Sequence, residues 1–385
     1  MEENFNMVAK TLFGFEDLLA NELTQLGAQD VKKGIRSVSF MGDKGFMYKA
    51  NLGLRTAIKI LKPIETFTVS NEQDLYNKLY AMPWENYMKS TGTLAVDATI
   101  HTELFTNSLY IAQKTKDAIV DKFRDTTGDR PNVDLKFPDL KINVHIDRQQ
   151  CTISLDSSGE SLHKRGYKTA TNIAPINEVL AAGLIMLSGW DGQTDFMDPM
   201  CGSGTMLVEA AMIACNIPPN LMRKEFAFER WQDWDVDLFE KIEESLLKKT
   251  RDFHYKITGY DKAPSAVAKA KENIKNANLE DFIEVKHEDF FKTQKGGENK
   301  LHMVFNPPYG ERLNIDLQDF YKNIGDTLKQ SYPNTDAWFI TSNLEALKFV
   351  GLRPSRKIHL FNAKLEARLV KFEMYAGSKK GKYMK

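Results

Sequence analysis

The sequence predicts an α/β fold, with an α+β region of short elements followed by a domain built on a mostly parallel sheet. From residue 177 onward, short apolar strands alternate with amphipathic helices, which is typical of βαβ units. Before residue 157 short strands and helices also alternate, but two consecutive strands there are joined by a tight turn. Glycine-rich or polar strings follow several strands of the second half. Parallel sheets bind ligands at such strand ends.

Apolar spacing predicts the elements of the first half. A helix over 14–26 carries Phe15, Leu19 and Leu23 at helical spacing. A turn at 147–150 joins the last two strands. The other predicted elements are strands over 4–9, 37–41, 58–67, 94–100, 141–146 and 151–156, and helices over 44–51 and 108–123. This arrangement has the length of one or two small α+β domains.

A domain boundary is predicted near residues 157–159, and regular βα alternation begins with a helix over 177–187. The predicted strands are 194–197, 256–260, 282–286, 301–305 and 336–341, with a final hairpin over 357–361 and 368–375. The predicted helices between them are 206–214 and 265–277. An insertion over 215–253 contains Trp231 and Trp234. We expect it to pack over the sheet edge, with a substrate-facing lid as the alternative.

Length and composition limit the class of protein. The chain of 385 residues exceeds the size at which one hydrophobic core usually stops growing, so we expect two or more domains. It is 42% hydrophobic and 27% charged, and no run of about 18 apolar residues could span a bilayer. The acidic start, Met1 to Asn4, has no apolar segment behind it, so we expect no secretory signal. A cytoplasmic enzyme without membrane contact is the simplest interpretation.

Cysteine spacing and charge exclude further classes. Cys151, Cys201 and Cys215 are far apart and form no Cys-x-x-Cys pair, which argues against a disulfide framework or a metal site. The 52 basic and 52 acidic residues balance, whereas nucleic-acid binders often show a basic excess. Residues 1–160 carry 19 Lys and Arg against 22 Asp and Glu. Any RNA contact must therefore come from local basic strings, which lie at 32–36, 163–165 and 379–382.

The string from Asp198 to Thr205 closes one predicted strand and opens a helix. Glycines permit backbone angles closed to other residues, and free N–H groups at a helix start can bind a carboxylate. A plain strand-to-helix turn is the alternative, and a dinucleotide site is disfavoured because Leu207 occupies the third glycine position of that fingerprint. We assign Cys201 a place in the turn and no nucleophilic role. The residues expected to contact a nucleoside cofactor are Asp198, Pro199, Cys201, Gly202, Gly204 and Thr205.

Two further acidic residues follow predicted strands. Asp261 can accept both ribose hydroxyls of a nucleoside, or can cap the helix that begins near Pro264. Asp289 can accept a hydrogen bond from an adenine amino group, with Glu288 as the competing residue and His287 in a structural role. We expect Asp261 and Asp289 to complete the cofactor site.

The string Asn306-Pro307-Pro308-Tyr309 predicts the chemistry. An exocyclic amino group is a poor nucleophile because its lone pair is delocalised into the ring. The Asn306 side-chain oxygen and the Pro307 carbonyl can accept its two hydrogens, and the prolines fix both acceptors. Tyr309 offers a face for stacking of an unpaired base. With the upstream turn, these residues indicate methyl transfer from S-adenosylmethionine to an amino nitrogen.

These residues resemble those of the class I Rossmann-like methyltransferases that modify amino groups of bases. Three further strings, at 156–167, 174–178 and 362–368, resemble the bacterial guanine-N2 methyltransferases of 23S ribosomal RNA. Residues 100–120 resemble a helix of the RNA-binding THUMP domain. The resemblance implies a ferredoxin-like region at 1–65, a THUMP-like domain at 66–157 and a methyltransferase domain at 158–385.

The resemblance also implies a reaction and a partner. The reaction is S-adenosylmethionine-dependent methylation of guanine N2, and the partner is 23S rRNA. The residues themselves predict no membrane contact and no metal site. Some family members continue into a domain that makes 7-methylguanine, and we expect only the first activity here. The same motif serves adenine N6 in DNA or RNA and glutamine amides in release factors, and a non-catalytic RNA-binding protein is a further alternative. The sequence indicates no oligomeric state.

Overall fold

The computed structural model describes residues 3–170, 175–308, 316–362 and 365–375. The chain divides into two compact units, and the described residues of each unit form one sheet. The first unit comprises Met1–Thr11, Ala20–Leu162 and Arg223–Ser245. The second comprises Leu12–Leu19, His163–Met222 and Leu246–Lys385. Neither unit is continuous in sequence.

The sheet of the first unit has eight strands within the described ranges, in the order β2-β3-β1-β4-β8-β7-β5-β6. The strands are β1 (Phe5–Thr11), β2 (Gln29–Gly34), β3 (Ser37–Gly42), β4 (Ala57–Thr68), β5 (Thr93–His101), β6 (Asn132–Val133), β7 (Leu140–Asp147) and β8 (Gln150–Asp156). The helices in this part of the chain are α1 (Glu16–Leu26), α2 (Lys44–Gly53), α3 (Glu72–Ala81) and α4 (Ser108–Thr127).

Local chemistry explains these elements. Asp43, Asn71 and Asn107 cap the N-termini of α2, α3 and α4 through side-chain oxygens that accept backbone N–H groups. Strand β7 alternates buried and partly exposed residues, as expected of a sheet with one covered face. The sequence predictions include neither β2, β6 nor α3. Strand β2 is almost wholly exposed, so it has no apolar alternation by which to recognise it.

The inserted segment Arg223–Ser245 belongs to the first unit. Phe228, Trp234 and Phe239 surround the ring of Tyr48 on α2, with ring centroids 4.5, 5.2 and 5.9 Å from it. This packing differs from the expected cover over the sheet edge of the second half. Phe228 is buried and Trp234 and Phe239 are half-buried, so these three rings pack within the first unit.

The sheet of the second unit has the order β11-β10-β9-β12-β13-β15-β14. Its strands are β9 (Asp195–Asp198), β10 (Ile257–Asp261), β11 (Ile283–His287), β12 (Leu301–Phe305), β13 (Thr335–Thr341), β14 (Arg356–Asn362) and β15 (Leu365–Met374). The helices from residue 157 onward are α5 (Glu178–Ser188), α6 (Thr205–Ala214), α7 (Val236–Leu247), α8 (Pro264–Asn276) and α9 (Leu317–Ser331).

Strands β11, β10, β9, β12 and β13 run parallel, whereas β15 is antiparallel to β13 and β14. Strand β12 is buried along its whole length, as expected of a central strand covered on both faces. The chain proceeds from β9 to β10 and β11 on one side, then returns to β12 on the other. The carboxyl ends of β9 and β12 therefore mark the topological switch point, where open α/β sheets bind ligands.

The expected fold class is confirmed for the described residues. The predicted strands of the second half agree with β9 to β14 to within one residue at each end, and the last predicted strand begins three residues after the start of β15. The predictions omit α9, although Phe320, Ile324 and Leu328 lie on its buried face at helical spacing. The capping residue Asp316 is a second sequence signal for that helix.

Candidate functional site

The turn after β9 brings the glycines and carboxylates of the sequence motif together. Gly202 and Gly204 have φ of +55° and +82°, in the region that favours glycine, and Gly204 is the N-cap of α6. The Gly202 N–H donates to Asp261 Oδ2 at 3.0 Å. A Cβ on Gly204 would lie 3.2 Å from Ala270 Cβ on α8. The turn is therefore held by the end of β10 and packed closely against α8.

Asp198 and Asp261 form a pair of interacting carboxylates at this edge. Asp198 is 3% exposed and accepts the Met200 N–H at 3.0 Å. Burial, with a further contribution from the Asp261 charge, raises the pKa of Asp198 to about 8. Asp261 lies at the end of the neighbouring strand and is only half-buried. The site thus has one carboxyl shielded from water and one that a ligand can reach.

Asp261 does not cap α8, since the N-cap is Ala263 and has no side-chain cap bond. Its Oδ1 instead accepts the Ala263 N–H at 2.9 Å. A carboxylate has about four acceptor positions, so Asp261 keeps capacity for further donors. Asp289 follows β11, and its Oδ1 accepts the Phe291 N–H at 3.2 Å. His287 Nε2 lies 3.0 Å from the Lys262 carbonyl, in agreement with a structural role.

Pro199, Cys201 and Thr205 complete the turn. Pro199 is buried, and the Cys201 N–H donates to the Tyr260 carbonyl at 2.8 Å. Burial raises the pKa of the Cys201 thiol well above its usual value, which disfavours the reactive thiolate form. Thr205 is the first residue of α6, and its buried Oγ1 makes no hydrogen bond within the described ranges.

Asn306 follows β12 at the switch point. Its Oδ1 is buried and has no hydrogen-bond partner among residues 3–170, 175–308, 316–362 and 365–375. An unsatisfied buried acceptor costs about 1–3 kcal/mol, so such atoms commonly mark ligand positions. Pro307 is buried and Pro308 half-buried, while the predicted Tyr309 lies outside the described residues. The structure thus places a buried amide oxygen, which can accept a hydrogen bond, at the end of the predicted strand.

Asn273 on α8 positions this site, although the sequence analysis does not identify it. It is fully buried, and its Nδ2 donates to the carbonyls of Ser203 at 2.9 Å and Ala170 at 2.8 Å. Its Oδ1 accepts the Thr169 and Ala170 N–H groups at 3.1 and 3.2 Å. One amide thus joins the glycine turn to the segment before residue 171. Only its place on the buried face of an amphipathic helix signals this role in the sequence.

The segment 163–170 is anchored by charges inside the second unit. Arg165 is fully buried, with Nε 3.3 Å from Glu209 Oε1 on α6, and it donates to Asn220 Oδ1 at 3.1 Å. Tyr167 donates to the same Glu209 oxygen at 3.3 Å. Within the string 163–165, Arg165 is therefore a buried ion-pair partner and not a surface charge, whereas Lys164 is exposed.

Within the described residues, no group of three or more His, Cys, Asp or Glu side chains is arranged to hold a metal ion. No helix in the same ranges is long and apolar enough to cross a membrane.

Family models match three successive parts of the chain. They are a ferredoxin-like domain at residues 6–61, the THUMP domain at 69–156 and an RMKL-like methyltransferase domain at 165–371. The last model alone covers more than half of the 385 residues. The predicted resemblance is confirmed, while the exact limits 65/66 and 157/158 stay predictions.

Curated relatives and a solved structure agree with these matches. "Ribosomal RNA large subunit methyltransferase K/L" of Syntrophotalea carbinolica is 36% identical over 373 residues, which is 94% of this chain and 52% of that protein. "Putative RNA methyltransferase slr0064" of Synechocystis sp. is 36% identical over 365 residues, 94% of this chain and 95% of that protein. The crystal structure of SMU.472 complexed with SAH superposes with a TM-score of 0.87 at 30% identity, covering 98% of this chain and 100% of SMU.472.

The chain spans about half the length of the K/L methyltransferase that it matches, and nearly the whole of the Synechocystis relative. Family model, relatives and fold agree over both units. The chain therefore belongs to the THUMP-containing family of RMKL-like methyltransferases.

Proposed function

We propose that this chain is an S-adenosylmethionine-dependent methyltransferase that modifies the exocyclic N2 of a guanine in 23S rRNA. The Oδ1 of Asn306, at the switch point of the sheet, is buried and has no hydrogen-bond partner among the described residues, and this observation carries the proposal. The names of the K/L and Synechocystis relatives support an RNA substrate, and the bacterial ribosome implies a cytoplasmic location.

The residues at the strand ends suit the cofactor. Asp261 can accept the ribose hydroxyls, and Asp289 the adenine amino group. The turn from Gly202 to Thr205 offers N–H groups at the start of α6 for a carboxylate, and the Thr205 hydroxyl is a further buried group without a described partner. The SAH in the SMU.472 structure supports this cofactor. When bound, the cofactor supplies an electrophilic methyl group.

The protein contributes hydrogen-bond acceptors that are already in position before the substrate binds. Asn306 Oδ1 and the Pro307 carbonyl hold the two hydrogens of the target amino group, which directs the nitrogen lone pair away from the ring. Neither acceptor has to reorganise during the reaction, because Asn306 follows a fully buried strand and Pro307 is itself buried. Tyr309 is proposed to stack on the target base. The amino proton leaves to solvent after transfer.

Mass spectrometry of ribosomal RNA from a strain that lacks this protein tests the reaction. We expect the loss of one N2-methylguanosine from 23S rRNA and its return when the gene is restored. Unchanged rRNA would contradict the proposal, and a simultaneous loss of N6-methyladenine from DNA would identify the adenine alternative.

The role of Asn306 is tested in vitro. We expect Asn306→Ala to abolish methyl transfer while the cofactor Kd changes by less than tenfold, or about 1.4 kcal/mol. Asn334→Gly is the matched control, since Asn334 precedes β13 at the opposite edge and its φ of +53° suits glycine. An active Asn306→Ala variant would refute the assigned role.

A further inference from the structure

The face of β14 and β15 carries an exposed aromatic cluster. The Phe13 ring lies 5.3 Å from Phe361 and 5.9 Å from His359, with edge-on geometry in both pairs. His359 and Phe361 lie 5.2 Å apart, on the same side of β14. Phe13 is 42% exposed and the His359 side chain 39% exposed. Large rings that stay accessible to solvent suit contact with another flat molecule.

A basic cleft lies on the same part of the second unit. It has a volume of about 600 Å³, with Leu347 and Phe372 among its apolar lining. Its cationic lining residues are Lys348, Arg353, Lys357 and Arg368. No carboxylate is among the described residues that line it.

Two of these cations are available to a ligand. Arg353 and Lys357 are exposed and make no ion pair with any residue of the described ranges. Lys348 is paired with Glu345. Arg368 lies 2.9 Å from Glu366, which also contacts His359 at 3.1 Å. Glu366 thus connects the aromatic cluster with the cleft.

The register of the sheet places this face near Asn306. Phe305 pairs with Phe339, and Thr341 pairs with Arg368, so Arg368 lies at the same edge as Asn306 and two strands away. At about 4.8 Å between neighbouring strands, the two backbones are about 10 Å apart. A polynucleotide held at Asn306 has to extend only a short way to reach Arg368.

We propose that the aromatic cluster and the basic cleft together bind the single-stranded RNA next to the target nucleotide. We call this surface the flanking-strand face, and its residues are Phe13, His359, Phe361, Arg353, Lys357 and Arg368. The inference rests on the proposed function, because it requires an RNA substrate. Aromatic side chains beside cations are the usual means of holding a single strand without reading its sequence. A target base must be unpaired to reach Asn306, and proteins that recognise specific RNA sites mostly bind single-stranded loops, bulges and ends, where unstacked bases are accessible. Since the chain as a whole has no net charge, a local cluster of cations must attract the phosphates.

The full-length protein tests this with a single-stranded RNA dodecamer and S-adenosylmethionine as separate probes. For Arg353→Gln/Lys357→Gln, loss of two phosphate contacts should lower the slope of log affinity against log salt by about 1.4. For Phe13→Ala, we expect affinity to fall roughly fivefold or more with the salt slope unchanged. Calorimetry should show cofactor affinity unchanged in both variants.

Lys271→Gln/Lys275→Gln is the charge-matched control, because both lysines lie on α8, which packs beside β11 at the other end of the sheet. An unchanged salt slope in Arg353→Gln/Lys357→Gln, or an equal loss in the control, would overturn the inference. RNA binding is measured without chemistry, so its result is independent of whether Asn306→Ala abolishes methylation. The proposal for the flanking-strand face is refuted if the salt dependence of dodecamer binding is unchanged in the variant. The proposed function is refuted by a different result, namely unchanged methylation of rRNA in a strain that lacks the protein.

Discussion

The position of Asn306 in the sheet leaves its side-chain oxygen buried and able to accept a hydrogen bond from a ligand. Its side-chain oxygen is buried at the end of a fully buried strand, where the chain crosses from one half of the sheet to the other. Free energy spent on desolvating this acceptor is regained when a donor arrives. We therefore expect Asn306 to contribute more to binding of an amino group, as the proposed function requires, than to the stability of the folded protein.

Substitution of Gly204 tests whether backbone strain or close packing matters more for the stability of the glycine turn. We expect Gly204→Ala to weaken cofactor binding and to lower the free energy of unfolding by more than the roughly 1–2 kcal/mol of left-handed strain alone. The added Cβ would lie 3.2 Å from Ala270 Cβ and 3.3 Å from its Cα.

Gly189→Ala is the control for Gly204. Its φ of +77° imposes the same strain, but a Cβ there would meet no atom within 4 Å. Urea denaturation and calorimetric titration of both variants decide between the effects. Equal losses of stability, together with unchanged cofactor affinity in Gly204→Ala, would show that close packing of the turn is unimportant.

His302 gives stability a defined pH dependence. Burial lowers the pKa of His302 to about 4, with Asp336 opposing and Lys371 adding to the shift. The unfolded chain binds a proton near pH 6.5, whereas the folded chain does not until about pH 4. Stability from this residue is therefore complete above pH 6.5 and is lost as pH falls toward 4, by about 3 kcal/mol.

The His302→Gln variant tests this dependence. Glutamine keeps a polar atom for Ser188 Oγ, which lies 2.7 Å from His302 Nε2. Urea unfolding followed between about pH 4 and pH 7 should show a flatter pH profile in the variant. If both proteins lose stability in parallel on acidification, the shift is not a property of His302.

Elements depend on one another through a few buried polar contacts. The Arg165–Glu209 pair ties the segment 163–170 to α6, the helix that begins at the glycine turn. We expect Arg165→Met alone to lower the free energy of unfolding by about 3–5 kcal/mol, because Glu209 is then left charged and buried. Arg165→Met/Glu209→Leu should lower it by less, because neither charge remains.

Urea denaturation of the single and double variants measures this difference. Lys322→Met is the control, since Lys322 forms an exposed pair with Asp326 on α9 and its loss should have no measurable effect. A double variant that is less stable than Arg165→Met would contradict the account of a buried charge pair.

At the level of elements, apolar periodicity predicts most of the fold. Strands such as β12 and helices such as α4 have clear apolar patterns. The predicted limits of β12 match the observed ones, and α4 begins at the predicted residue but ends four residues later. Strand β2 could not be found this way, because exposed edge residues need no apolar side chains. Residue types at strand ends predicted Asp198, Asp261 and Asn306. The bridging role of Asn273 depends on a contact with Ala170, 103 residues away, which no local pattern encodes.

At the scale of the whole molecule, the two units interleave in sequence. A boundary near residue 157 suggests that the second half folds by itself. However, Leu12–Leu19 belongs to the second unit and Arg223–Ser245 to the first. Phe15 is fully buried and packs against Gly183 on α5. A Cβ on Gly183 would lie 2.1 Å from the Phe15 ring. Such long-range membership cannot be read from composition or periodicity.

We therefore expect the fragment 158–385 to fold poorly. It lacks Phe15, and its Phe228 and Trp234 lose their packing against Tyr48. Thermal melts followed by circular dichroism and binding of a hydrophobic dye should show a less cooperative transition and more exposed apolar surface than in the whole chain. A fragment that melts cooperatively at the same temperature without binding dye would contradict this prediction.

The chemistry of the three thiols has a practical consequence. Cys151, Cys201 and Cys215 are unbridged and buried, and burial raises the pKa of each. Alkylating reagents attack the thiolate, so the folded chain should resist labelling. Since Cys201 lies within the glycine turn, the rate at which its thiol is alkylated should measure how often that turn opens. Dyes attached to engineered surface cysteines would then report on motion with little background from the native thiols.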